Sequence, residues 1–408
     1  MEQKQVDDIR YLFERMETTG QFLELLNAIK TMYLKTDMYP FTMCQLNYYS
    51  NPKARRNCYH EFTIPKKNGS ERTIMAPSKQ LKMLQTVLNV LLNVIVKPHD
   101  KAYGFVTGKS IVENAKIHVR KNYVYNIDLS DFFHSVDQAR IWTCLRLKPL
   151  NLVGDKSNER DRIANMIAAI CCKNMIVERI NPVTGEVFKS RKNVLPQGAP
   201  TSPILTNLVC QKLDFLLNRL AQSYNVKYSR YADDITFSAN KNLFDTEGDF
   251  VQRVNKIIAK QGFMINGAKV RLQSYGYRQE VTGLTVNEGV NVSKTYVKEI
   301  RKWLYLWERY GYMKAFDCYC ESMVFKGKDA KILEHVLRGK LNFLSMVKGK
   351  ENSTYSSLRN RFEILMGGTS MNQGYSTTFN TLGDAVMSNL VQDVLAGNLS
   401  NAMQKYHG

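Results

Sequence analysis

The sequence predicts an α+β fold, because strand-like and helix-like segments are interleaved up to about residue 292 and helix-like segments alone follow. Runs rich in β-branched and aromatic residues, bounded by turn residues, predict strands at 59–76, 123–129, 226–238 and around 268–290. Apolar residues that recur every three or four positions predict helices at 6–34, 78–97, 204–222, 247–262 and from Ser293 onward. A chain of 408 residues with both patterns is long enough for two or three domains, or for one multi-lobed unit.

The N-terminal segment predicts two amphipathic helices. Val6, Ile9, Phe13 and Met16 recur at helical spacing, and Gly20 is expected to interrupt the helical pattern.

A β-hairpin is predicted next, over residues 59–76. Its two β-prone runs flank Lys67-Asn68-Gly69-Ser70, and Asn-Gly is a strong signal for a tight hairpin turn. Lys66 and Arg72 lie near the tip, where they could meet a phosphate or remain solvated surface charges.

Acidic residues stand at the ends of two predicted strands. Asp233 and Asp234 are adjacent at a turn, and taken alone such a pair is more often an ordinary acidic turn. Asp128 ends the strand at 123–129, so that three carboxylates can converge from neighbouring strands. A divalent cation would relieve their mutual repulsion, and three carboxylates with substrate phosphates can hold two Mg²⁺ ions about 3.5–4 Å apart.

The composition indicates a polyanionic partner. The formal net charge is +20, with the positive residues spread along the chain, which favours a lined nucleic-acid channel over a single basic tail. The eight cysteines show no zinc-site spacing, and neither an N-terminal apolar core nor a membrane-length apolar run is present in the sequence. We therefore expect a reduced cytoplasmic protein with no membrane association.

The C-terminal part is predicted to be helical and basic. Ser293 is expected to cap a helix that presents Val297, Ile300, Leu304 and Trp307 on one face, and a second basic helix is expected around 329–347. Beyond about residue 365 the chain becomes rich in Gly, Ser, Thr and Asn.

Three segments resemble the conserved boxes of reverse transcriptases. Tyr231-Ala232-Asp233-Asp234 matches their Tyr-x-Asp-Asp box, residues 125–133 (YNIDLSDFF) resemble their first acidic motif, and residues 195–203 (LPQGAPTSP) resemble their Q-G-x-x-x-S-P loop. The boxes occur in family order, and the resemblance covers about 60–290. It implies a right-hand polymerase with fingers (1–122, with N-terminal helices), a palm of antiparallel sheet and helices (123–292, with an inserted fingers segment) and a helical thumb (293–350). Residues 351–408 would form an extension of unassigned role.

The resemblance also implies roles for individual residues. Asp128, Asp233 and Asp234 would be catalytic and, with the Leu129 carbonyl, would bind two Mg²⁺ ions. Five residues would contact the incoming dNTP: Lys66, Arg72, Phe133, Gln197 and Gly198. Phe133 matches the aromatic position that excludes a ribose 2′-hydroxyl, although on its own it could equally be a core residue. Glycine at 198 would allow backbone to approach the nascent base pair closely. We assign no metal-binding role to Asp131.

Two smaller motifs narrow the resemblance to retron reverse transcriptases. Residues 114–118 (NAKIH) match the N-A-x-x-H element of that family, and residues 281–283 match its V-T-G element. Membership would imply a cognate structured non-coding RNA as primer and template, a branched 2′-linked DNA product, and an effector protein in defence against phage. Asn114 and His118, together with Arg338 and Lys340 of the thumb, are the predicted RNA-binding residues, although a lone histidine is more often structural.

Other classes of reverse transcriptase, and RNA-binding proteins without catalytic activity, would show different sequence features. A group II intron enzyme would need a maturase segment, and a diversity-generating enzyme would end its fourth box in Ser-Gln where this chain has Ser202-Pro203. Another defence-associated reverse transcriptase, with 3′ or protein priming, remains the strongest alternative. A non-catalytic RNA-binding module would not need Asp128, Asp233 and Asp234, and all three are present.

Overall fold

The structure, a computed structural model, describes residues 2–34, 39–51, 57–65, 69, 71–154, 159–180, 186–325 and 331–371. The chain forms two compact units, Met1–Val290 and Asn291–Gly408. Among the described helices, none is both long enough and apolar enough to cross a lipid bilayer.

The first unit mixes helices and strands, which confirms the predicted α+β class. Its helices are α1 (Gln3–Arg15), α2 (Thr19–Leu34), α3 (Met43–Ser50), α4 (Lys79–Ile95), α5 (Ile111–Lys116), α6 (Gln138–Arg146), α7 (Glu159–Cys171), α8 (Ser202–Ser223) and α9 (Asp249–Lys260). Its strands are β1 (Tyr59–Pro65), β2 (Glu71–Pro77), β3 (Tyr123–Ser130), β4 (Lys173–Ile180), β5 (Val187–Val194), β6 (Lys227–Tyr231), β7 (Asp234–Ala239), β8 (Met264–Ile265), β9 (Arg271–Ser274), β10 (Glu280–Val281) and β11 (Leu284–Thr285).

A central antiparallel sheet carries the acidic residues. Its strand order is β6-β7-β3-β8, and β9 also pairs with β3. Strand β3 is largely buried: Val124, Tyr125, Ile127 and Leu129 are each at most 4% exposed, and Asp128 is 9% exposed. Helices α8 and α9 pack beside the sheet. Each fully buried aliphatic or aromatic side chain contributes about 1.5–3 kcal/mol, so this core can hold an otherwise repulsive acidic strand end in place.

The N-terminal helices form as predicted, but the break between them differs. Helix α1 ends at Arg15 and α2 begins at Thr19, so that Gly20 lies inside the first turn of α2. The reason is a capping arrangement: the Thr18 hydroxyl accepts from the Gln21 amide at 3.2 Å, and the Gln21 side chain accepts from the Thr18 amide at 3.2 Å. The prediction that Gly20 causes the break was therefore wrong.

Hairpin β1–β2 confirms the predicted antiparallel pairing, from Tyr59 opposite Pro77 to Pro65 opposite Glu71. Most of the predicted tip, including Lys66, lies outside the described residues. A second hairpin, β4–β5, was not predicted.

The second unit is helical, with α10 (Lys294–Phe325), α11 (Leu333–Lys348) and α12 (Ser353–Met371). The Ser293 hydroxyl accepts from the Tyr296 amide at 3.2 Å, which confirms the predicted cap. Helix α10 is kinked at Gly311, whose φ is 80°. Helix α12 was not predicted. The division at 290/291 lies two residues before the predicted palm–thumb boundary, while the fingers, palm and thumb assignments stay predictions.

Candidate active site

Three carboxylates meet at one end of the central sheet. Asp128 on β3 stands directly opposite Asp234, the first residue of β7. Facing residues of an antiparallel pair project from the same side of the sheet, with Cβ atoms about 4.5–5.5 Å apart. Asp233 occupies the turn that leads into β7, and its carbonyl accepts from the Leu129 amide at 3.1 Å. The predicted convergence of these residues is therefore present.

Burial and mutual repulsion disfavour the charged form of two of these carboxylates. Desolvation, followed by the neighbouring carboxylates of Asp233 and Asp128, raises the pKa of Asp234 to about 6. Desolvation also raises the pKa of Asp233, with a further contribution from Asp128, and nearby Lys269 and Arg72 act in the opposite direction. The cluster thus favours either protonation or a bound cation.

Lys269 supplies a positive charge that the sequence reasoning missed. Its ammonium donates to both oxygens of Asp128, at 2.9 and 3.0 Å. A one-turn 3₁₀ helix at Gly267–Lys269 carries it there, and the preceding Asn266 amide donates to the Asp128 carbonyl at 2.8 Å. Its segment (NGAKVR) has no periodicity that would have indicated this position.

A recess of about 490 Å³ opens beside the carboxylates. It joins hairpin β1–β2 to the end of β3 and contains Arg72, Phe133 and Gln197, three of the predicted nucleotide-binding residues. Other lining residues are Glu71, Thr73, Phe105, Asp128, Leu129, Ser130, Asp131, Phe132, His134, Asp233, Asn266 and Lys269. Lys66 lies outside the described residues.

Phe133 both lines this recess and packs on the core. Its ring lies 5.7 Å from that of Phe132 and 6.0 Å from that of Phe105, measured between centroids. Phe105 is 43% exposed and was missed by the sequence reasoning. Phe133 can therefore be a core residue and, at the same time, the aromatic residue that contacts the sugar of the nucleotide.

The backbone at Gly198 leaves no room for a side chain. Its φ is 118°, and a Cβ there would lie 2.8 Å from the Ile74 side chain and 2.9 Å from the Met75 carbonyl oxygen. Strand β2 is fixed against this loop by a 2.7 Å hydrogen bond from the Met75 amide to the Gln197 carbonyl. The close approach that excludes a side chain in the protein alone is to β2, and the approach of this backbone to a nascent base pair stays a prediction.

The donor set fits a hard divalent cation. Three carboxylates and the Leu129 carbonyl are oxygen ligands of the type that Mg²⁺ prefers, and desolvation together with the neighbouring carboxylates raises the pKa values of Asp233 and Asp234. Within the described residues, no group of three or more Asp, Glu, His or Cys side chains has the geometry of a formed metal site. Loading would require the Asp128 carboxylate to exchange Lys269 for the cation.

Comparison with known proteins gives the family. Residues 64–304 match the model for reverse transcriptase (RNA-dependent DNA polymerase). The retron Ec86 reverse transcriptase of Escherichia coli is 31% identical over 322 residues, covering 77% of this chain and 84% of that protein. The chain belongs to the retron reverse transcriptases. The retron Mx162 reverse transcriptase of Myxococcus xanthus is 36% identical over 241 residues, which span 56% of this chain and about half (47%) of that protein.

Each of the two retron elements contributes buried residues to the fold of this retron reverse transcriptase. Val281 is fully buried, and the Thr282 hydroxyl donates to the Ile111 carbonyl of α5 at 3.4 Å. His118 is also fully buried, between the hydroxyls of Ser238 (2.7 Å) and Ser229 (2.8 Å) on β7 and β6.

This burial corrects one prediction. Asn114 is 1% exposed and His118 is 0% exposed, so neither side chain presents a surface to RNA. Desolvation lowers the pKa of His118 to about 3, which leaves a neutral imidazole that links the two strands bearing the Asp233 turn. The prediction that both side chains bind RNA directly was wrong because Asn114 and His118 face the interior of the protein.

Arg338 and Lys340 differ in how accessible their charged groups are to RNA. Arg338 is exposed on α11, with its guanidinium 6.0 Å from the Phe362 ring centroid. The Lys340 ammonium donates to Glu299 at 2.9 Å and lies 4.5 Å from the Tyr296 ring centroid. RNA binding by both stays a prediction, and Lys340 would have to share its charge with Glu299.

Proposed function

We propose that this retron reverse transcriptase copies a cognate structured non-coding RNA into single-stranded DNA, with two Mg²⁺ ions bound by Asp128, Leu129, Asp233 and Asp234. One observation carries the proposal: Asp128 faces Asp234 across two paired strands, with Asp233 in the adjoining turn, beside a recess of nucleotide size. Membership of the family supplies the reaction class, RNA-directed DNA synthesis.

Different side chains around the recess would contact different parts of the bound nucleotide. Arg72 is exposed within it and would donate to the triphosphate through its planar fork of N–H groups. Phe133 would lie under the sugar, where its ring excludes a 2′-hydroxyl, and Gln197 would contact the base pair. Bound Mg²⁺ would supply charge stabilisation at the attacking hydroxyl and at the leaving pyrophosphate. Lys269 would release Asp128 as the cation enters.

The RNA partner is supported by charge. The net charge of +20 favours phosphate contacts, which supply most of the affinity in nucleic-acid binding, and Arg338 is exposed on a basic helix. A structured RNA would be recognised mainly by shape and backbone.

The finer part of the proposal concerns priming and biological role. The relatives are named as retron reverse transcriptases. We infer from this that synthesis starts at an internal guanosine 2′-hydroxyl of the same RNA, in the bacterial cytoplasm, and that the RNA–DNA product acts with an effector protein against phage. An internal hydroxyl must be held within reaction distance by a rigid RNA fold, because a misplacement of about 1 Å can cost roughly 100-fold in rate.

Analysis of the DNA that co-purifies with the protein from its native locus tests this proposal. RNase treatment should leave a short RNA remnant at the DNA 5′ end, and a debranching enzyme should remove that remnant. A free 5′ end, or a 5′ end linked to a protein serine or tyrosine, would overturn retron priming. RNA-directed synthesis itself would survive that result, since it depends on the carboxylates and not on the primer.

A further inference from the structure

A fully buried ion pair lies behind the Asp233 turn. Arg230 on β6 and Asp214 on α8 are both 0% exposed. The guanidinium donates twice to the carboxylate, from Nε to Oδ1 and from Nη2 to Oδ2, each at 2.7 Å. The Tyr228 hydroxyl donates to the same carboxylate at 2.7 Å.

Stability alone does not account for such a pair. Removing two charges from water costs about as much as their attraction returns, and well-packed apolar residues often serve at least as well. What a guanidinium offers instead is a rigid set of donors in one plane. The remaining donors of Arg230 therefore indicate what the pair holds in place.

Those donors reach the acidic turn. Arg230 Nη1 donates to the Ala232 carbonyl at 3.0 Å, and Nη2 also donates to the Asn207 side-chain oxygen at 3.1 Å. Ala232 has a φ of 56°, in the left-handed region that non-glycine residues rarely adopt. Such a conformation persists only where its surroundings enforce it. Ala232 immediately precedes Asp233, so its backbone angles set the direction in which both carboxylates leave the sheet.

A second segment of the chain also contacts this turn. A Cβ at Gly104 would lie 2.4 Å from the Ala232 amide nitrogen, so only glycine permits this approach. The Asn207 amide donates to the Gly104 carbonyl at 3.0 Å, and the neighbouring Tyr103 amide donates to the Arg230 carbonyl at 2.8 Å. Asn207 thus joins the ion pair to the Gly104 segment.

We propose that Arg230, Asp214, Asn207 and Gly104 form a positioning cluster that holds Ala232 in its left-handed conformation and thereby fixes Asp233 and Asp234 for metal binding. This inference rests on the proposed function. None of the four touches the recess, so they act through the turn and not on the nucleotide.

Two variants disturb the turn by independent routes. Arg230→Lys keeps a positive charge beside Asp214, but one ammonium cannot reach both Asp214 oxygens, Asn207 and the Ala232 carbonyl together. Gly104→Ala leaves the ion pair intact and forces its new methyl group against the Ala232 amide. Matched controls are Arg253→Lys, in an exposed ion pair with Asp249, and Gly276→Ala, where a Cβ meets nothing within 4 Å.

The decisive readout is Mn²⁺ affinity, measured by electron paramagnetic resonance on protein without nucleotide or nucleic acid. Both variants should bind Mn²⁺ about 5- to 10-fold more weakly than wild type. They should also lose about 10- to 100-fold in kcat, while KM for dNTP stays within about twofold. The two controls should match wild type in all three quantities.

The outcomes separate this inference from the function on which it rests. The positioning cluster alone would be overturned if Arg230→Lys and Gly104→Ala fold and keep the wild-type Mn²⁺ affinity and kcat, while Asp233→Asn is inactive. Wild-type synthesis by Asp233→Asn would overturn the proposed function. Circular dichroism and thermal midpoints establish whether each variant is folded. If Arg230→Lys is unfolded at the assay temperature, the result for Gly104→Ala tests the positioning cluster.

Discussion

The ammonium nitrogen of Lys269 lies 2.9 and 3.0 Å from the two carboxylate oxygens of Asp128. The Asp128 side chain is 12% exposed and that of Lys269 is 57% exposed, so the lysine can withdraw into solvent while the aspartate stays in place. In this arrangement Lys269 and a divalent cation compete for one carboxylate.

Removing that competitor should strengthen metal binding. Lys269→Met is expected to bind Mn²⁺ about fivefold more tightly than wild type in the absence of nucleic acid, because a partly screened like charge near the ion is removed. Lys260→Met, at the exposed end of α9, is the control for loss of one positive charge. Equal affinity in wild type and Lys269→Met would show that the two cations do not compete.

The aromatic wall of the recess should control sugar selection. Phe133→Ala is expected to reduce the preference for dNTP over rNTP by about 10- to 100-fold, because the ring no longer blocks a 2′-hydroxyl. The measurement is the ratio of kcat/KM for the two nucleotides. Phe132→Leu, a change in the adjacent buried ring, is the control for altered packing. An unchanged ratio in a folded Phe133→Ala enzyme would make Phe133 a core residue alone.

The burial of His118 predicts a pH dependence of stability. Its pKa is about 3 in the folded protein against 6.5 for an unperturbed histidine, so the unfolded chain binds an extra proton between these values. Stability is therefore lost as pH falls below about 6.5, by about 2 kcal/mol between pH 7 and pH 5. His118→Gln should remove that part of the slope, while exposed His335→Gln should retain it. Identical slopes in wild type and His118→Gln would contradict the neutral buried imidazole.

The acidic cluster was predictable because it depends on local rules. Apolar runs that end in aspartate predict strand ends, and neighbouring antiparallel strands bring such ends together. The register that places Asp128 opposite Asp234 confirms that reasoning. Helices with clear periodicity, such as α8 and α9, were predictable for the same reason.

Features that depend on tertiary packing were not predictable. A motif marks Asn114 and His118 as important, but only the packing of the 114–118 segment against the sheet decides that they face inward. Lys269 reaches Asp128 because a short 3₁₀ turn follows β8, and neither carries a periodic signal. Arg230 and Asp214, 16 residues apart, meet because α8 packs on β6, and that contact has no sequence signature.

The most direct test of the account compares RNA-templated DNA synthesis with RNA binding in one variant, Asp233→Ala/Asp234→Ala. Synthesis should fall by more than about 1000-fold, since loss of a single preorganised electrostatic group already costs about 100- to 1000-fold. RNA affinity should stay within about threefold of wild type, because it derives mainly from Lys and Arg contacts to phosphate. The exposed pair Asp245→Ala/Glu247→Ala is the charge-matched control and should retain full synthesis. Synthesis by the Asp233→Ala/Asp234→Ala enzyme above a tenth of the wild-type rate would contradict the assignment of these carboxylates.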